Sequence, residues 1–231
     1  LALLRSPACQ KSEECVLGQQ NLKKIITEWG KAEELKPSTE LILGFAKYNA
    51  QFDDAEMNYW AGHFAIKNKL YPEAFAAFKK AAQLFAKKDK SSDARLQRLF
   101  EGSLMGAIGA AESSETQSLK LSAYQLYLEL NPEGLKRDDI KYQIAHLYYE
   151  GNDYVKASEL FKNIALDVKS TSNLREKSAE LCLDSAVILK NESQIEADSL
   201  LFSQTYKSKK SYYLALWRKS ILNQSAKVIN S

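Results

Sequence analysis

Tyr142–Leu166 reads YQIAHLYYEGNDYVKASELFKNIAL, two apolar-striped stretches broken at Gly151-Asn152-Asp153. Apolar and aromatic residues recur every three or four positions on both sides of the break, the spacing of one helix face. Gly, Asn and Asp together turn a chain sharply, so an antiparallel helix pair is expected. An earlier stretch, Tyr59–Gln83 (YWAGHFAIKNKLYPEAFAAFKKAAQ), matches it when slid by 83 positions. In that register Tyr59 lies on Tyr142, Gly62 on Ala145, His63 on His146, Tyr71 on Tyr154, Ala74 on Ala157 and Phe78 on Phe161. Self-similar helix pairs predict an all-α solenoid, whose units pack only on their neighbours and present an extended surface.

Helical spacing continues on either side of this pair. A first helix is expected from Ser12 to Trp29, with Val16, Leu22, Ile25, Ile26 and Trp29 inward and Gly30 ending it. Ser38 caps a second helix carrying Leu41, Ile42, Phe45 and Tyr48. Asp53 or Asp54 caps the helix of Tyr59, and Tyr71-Pro72-Glu73 opens its partner, because Pro loses nothing in a first turn. A long helix to about Ala111 contains Gly102, Gly106 and Gly109, which suit a close helix crossing. Ser114-Glu115-Thr116-Gln117 reads as a capping box, and Asn131-Pro132 stops the helix it starts. Asn173-Leu174-Arg175-Glu176 and Asn191 cap two further helices, and a last one spans about Ser208–Ile229. About eleven helices and no strand are expected. Lys120 and Ala197 extend the series begun by Ala74 and Ala157.

The 231 residues are 45% apolar and 26% charged, with four prolines and nine glycines, ordinary values for a folded chain. Net charge is +3, too small to point to nucleic acid by itself. It is unevenly placed: from Lys207 onward there are six lysines and arginines and no acid, leaving 26 basic against 29 acidic groups before it. The basic end is read as a solvated cap on an exposed last helix, with an acidic protein partner, peripheral membrane contact or nucleic acid as lesser readings. No apolar run reaches the roughly 18–20 residues of a membrane helix. The chain starts at Leu1 without Met, which suggests trimming from something longer. Cys9 and Cys15 frame a loop that a disulfide could close, which would imply an oxidising compartment. Cys182, on an apolar helical stripe, reads as a small buried hydrophobe.

The small residue of the first helix, the aromatic near the turn, the Ala and the Phe four later resemble the tetratricopeptide repeat. Gly62, Tyr71, Ala74, Phe78 and Ala81 carry the likeness in one hairpin. Ile144, Ala145, Tyr148, Tyr154, Ala157 and Phe161 carry it in the other. The resemblance implies a right-handed superhelical array over 1–231, with irregular helices to 52, repeat hairpins over 53–207 and a basic capping helix over 208–231. It further implies a concave groove lined by first helices, which places Tyr59, His63, Ile66, Lys67, Tyr142, His146, Tyr149 and Glu150 in contact with a bound protein or peptide. A non-catalytic interaction or scaffold module follows. The Cys9/Cys15 pair and the missing start favour the periplasm or cell envelope over the cytoplasm. Two alternatives stand beside it: the helical accessory part of a larger, peptidoglycan-cleaving enzyme, or a self-associating spacer.

Chemistry is hard to find in the residues themselves. His63 and His146, the only two histidines, stand 83 positions apart with no Cys or acidic cluster to complete a metal shell. Glu13-Glu14, Glu33-Glu34 and Asp53-Asp54 fall at helix starts or in loops, where acids suit the helix dipole or water. No nucleotide loop, zinc signature or dinucleotide fingerprint is present. No catalytic residue, metal or cofactor is therefore expected.

Overall fold

A computed structural model describes residues 12–88 and 93–229, and the described residues contain helices and no strand. Eleven α-helices follow in order: α1 (Glu13–Ala32), α2 (Thr39–Asn49), α3 (Ala55–Lys67), α4 (Tyr71–Ala86), α5 (Ala94–Ser113), α6 (Gln117–Leu130), α7 (Arg137–Glu150), α8 (Tyr154–Leu166), α9 (Ser172–Ile188), α10 (Glu192–Thr205) and α11 (Lys210–Ile229). Each packs mainly on its neighbour in sequence, the arrangement of a solenoid-like all-α array. The chain divides into two compact units, Leu1–Pro132 and Glu133–Ser231.

Four turns share one backbone device. Lys69, Glu115, Asn152 and Lys190 are the only described non-glycine residues with positive φ, 55–62°, and each separates two helices of a hairpin. At three of them the next N–H bonds back to the carbonyl five residues earlier: Leu70 to Ala65, Asp153 to Tyr148 and Asn191 to Ala186. This closes the last helical turn with a left-handed residue. The expected turn at 151–153 forms, with Asn152 and not Gly151 taking the left-handed position (Gly151 has φ −78°).

Counted from these residues, Ala74, Lys120 and Ala157 all fall five positions on, and Phe78, Tyr124 and Phe161 nine on. In α10 the fifth place is Ile195. Ala197 is exposed and does not continue the series; the buried aromatic moves to Phe202.

Other local expectations are corrected. Gly30 lies inside α1, which runs on to Ala32. Its missing side chain makes room for the Phe64 ring, 3.0 Å from where a Cβ would sit. Val16 and Ile25 face outward, Ile25 at 63% exposure, and Ile26 alone of the α1 apolar set is buried. Ser38 and Asp54 cap α2 and α3 as expected. The capping box at 114–117 does not form: Ser114 ends α5, and its hydroxyl donates to the Ala111 carbonyl. Thr171, not Asn173, caps α9 by accepting from the Leu174 N–H.

Candidate functional site

The matched hairpins each build an aromatic cluster around a buried Phe, one in each unit. In the first unit Phe78 of α4 is fully buried, with Gly62 of α3 on one side and Gly106 of α5 on the other. A Cβ at Gly62 would lie 2.8 Å from that ring, and one at Gly106 2.7 Å from it. Tyr59 and His63 meet Phe78 edge-on, with centroids at 5.9 and 5.0 Å. Gly102 lies under Tyr59, 3.2 Å from its hydroxyl counted from a built Cβ. His63 Nε2 is buried without a hydrogen-bond partner, and burial, then Lys67, holds the imidazole below its ordinary pKa. Lys67 donates to the Glu34 carbonyl, and Ile66 is half-buried. Trp60, 43% exposed, joins Phe45, Phe64 and Gly30 around a small apolar pocket of about 140 Å3 between α1 and α3.

In the second unit Phe161 is again fully buried, with Tyr142 edge-on at 5.6 Å and Tyr149 at 6.4 Å. His146 Nδ1 sits 3.3 Å from Glu150. The Tyr149 hydroxyl donates to Asp184 Oδ2 on α9, which together with burial pushes the phenol up to about 12. Next to this cluster lies a cleft of about 390 Å3, lined by Tyr142 of α7, Lys177, Glu180, Leu181 and Asp184 of α9, and Tyr212 of α11. Of these, α7 and α9 are the first helices of successive hairpins, the kind of face expected to bind, and α11 is the last helix, expected to cap the array. Lys209 ties the rim together, bonding Glu180 and standing 3.8 Å from Glu176.

The eight expected groove residues thus gather as two separate sets: Tyr59, His63, Ile66 and Lys67 in one unit, and Tyr142, His146, Tyr149 and Glu150 in the other. Tyr142 alone of them lines the larger cleft. The α9 and α11 contributors were missed, although Lys177, Glu180, Leu181 and Asp184 share the helical i, i+3, i+4, i+7 spacing of one face.

Behind the cleft, α8, α9 and α10 meet through polar groups. Asp198, 1% exposed, has Lys162 Nζ 2.6 Å from Oδ1, in a contact not aligned as a hydrogen bond. Its Oδ2 accepts from Gln194 at 3.4 Å and from the Cys182 thiol at 3.6 Å. Gln194 also donates to Ser158 Oγ at 2.6 Å, and Ser158 donates to the Cys182 carbonyl. Cys182 is buried as expected, and burial pushes its thiol up to about 12, so it is not a nucleophile. Cys15 is disulfide-bonded; Cys9 of the expected pair lies outside the described residues.

Among the described residues, no three or more His, Cys, Asp or Glu gather closely enough to hold a metal ion. No helix there is long and apolar enough to cross a membrane. Compared with known proteins, the chain matches no protein-family model and no curated protein.

Proposed function

We propose that the protein is a non-catalytic binding module and that the α7/α9/α11 cleft holds a segment of a partner protein. The observation that carries this is the cleft itself: the first helices of two successive hairpins and the α11 that follows them line it, with Tyr142 and Tyr212 supplying aromatic surface. Tyr side chains give much contact area and little entropy loss, the chemistry of interface anchors. The likeness of both hairpins to the tetratricopeptide repeat supports the same role. The disulfide at Cys15 favours an oxidising compartment such as the periplasm.

A photo-crosslinking amino acid placed at 212, in the cells that make the protein, tests the reading. A companion variant at Val155, 67% exposed on α8 outside the cleft, is the control. A defined partner band from position 212 and none from 155 is expected. The same bands from both positions, or none from 212, would sink the assignment.

A further inference from the structure

The charges of the α7/α9/α11 cleft are not all available to a ligand. Lys209 is occupied by Glu180 and Glu176. Asp184 holds the Tyr149 hydroxyl through Oδ2, and its Oδ1 has no partner among the described residues. Lys177 is exposed and makes no ion pair among the described residues. One ammonium and one carboxylate therefore remain. Lys177 and Asp184 are seven residues apart on α9, hence on one side of it and roughly 10 Å apart along its axis. Leu181, Tyr142 and Tyr212 supply the less polar wall between them.

An extended chain matches the spacing of these two charges. In the polyproline II conformation residues three apart lie on the same side and about 9 Å apart, close to the spacing of the two charges. Resting on the partner-holding reading above, we propose that the cleft selects an extended segment bearing one basic and one acidic side chain three residues apart. The basic one lies against Asp184 and the acidic one against Lys177.

Four capped peptides, Ala-X-Pro-Leu-Z-Ala with X and Z as Lys and Glu, Lys and Lys, Glu and Glu, or Gln and Gln, test this by fluorescence anisotropy at low salt. The native protein is expected to bind the Lys/Glu peptide about fivefold tighter than the others, the effect of two exposed ion pairs. Lys177→Glu should move the preference to Lys/Lys and Asp184→Lys to Glu/Glu, with melting curves confirming that both variants fold. A ranking that ignores charge, or that the two variants leave unchanged, overturns the proposal. If Gln/Gln binds as well as Lys/Glu and Tyr142→Ala weakens both, the cleft still holds a peptide and only the charge selection falls. Binding of none of the four also overturns the proposal, and the cross-linking at 212 then decides the partner-holding role separately.

Discussion

The hairpins α3/α4 and α7/α8 carry the same Tyr, His and Phe at matched places, yet their surroundings differ. Beside the first, α5 offers Gly102 and Gly106, bare backbone into which Tyr59 and Phe78 settle. Beside the second, α9 offers Lys177, Glu180, Leu181 and Asp184, whose side chains border an open cleft beside Tyr142. Whether such a face is filled or open is decided by the next helix, not by the repeated residues. The deeper layers differ too. Phe78 is wedged between glycines, while α8, α9 and α10 are joined by Ser158, Cys182, Gln194 and Asp198.

The largest test of this contrast is ring removal. Phe78→Ala should cost about 4–5 kcal/mol and Phe161→Ala about 3–4, within the usual range for a buried Phe, because glycines cannot move in to fill the space. Equal losses in urea unfolding would remove the distinction. Next, Lys162→Ala should cost about 3 kcal/mol by stranding a buried carboxylate, whereas Asp198→Ala should cost under about 1.5, since Lys162 can turn to water. The reverse order would mean that Asp198 is held by its neutral neighbours.

The glycines should separate by sign. Gly62→Ala and Gly106→Ala drive a Cβ into Phe78 and should cost about 1–3 kcal/mol. Gly109→Ala, with nothing within 4 Å, should gain up to about 1 kcal/mol from helix propensity. A loss at Gly109 would show that the space beside it is not free.

The smallest effect concerns pH. His63 titrates below its unfolded value, so the unfolded chain takes up the proton first. Stability is therefore full above about pH 6.5 and declines as pH falls below it. His63→Phe should flatten the Tm profile between pH 7.5 and 5.5; an unchanged slope would assign it to other groups.

The sequence made the helices readable because their apolar spacing is strong, and the pairing of Ala74 with Phe78 and of Ala157 with Phe161 follows directly from it. The turns were harder. A helix-ending left-handed residue is expected to be Gly or Asn, and here Lys69, Glu115 and Lys190 take that place against their own steric preference. Gly30 reads in sequence as a helix end, and only the ring of Phe64 explains it as a packing position, whereas Gly106 takes the close crossing expected of it, against Phe78. Most of the cleft was invisible for a related reason: Lys177 and Asp184 look like any solvated helix face until α7 and α11 are in place beside them.

Cys182 has a practical consequence. It is fully buried, protonated at neutral pH and the only free thiol among the described residues. A thiol-reactive dye can reach it only when α8, α9 and α10 part. The labelling rate is thus a built-in clock for opening of the second unit, readable without any mutation. Slowed labelling in the presence of a cleft-binding peptide would report ligand binding as protection of a buried atom that the ligand does not touch.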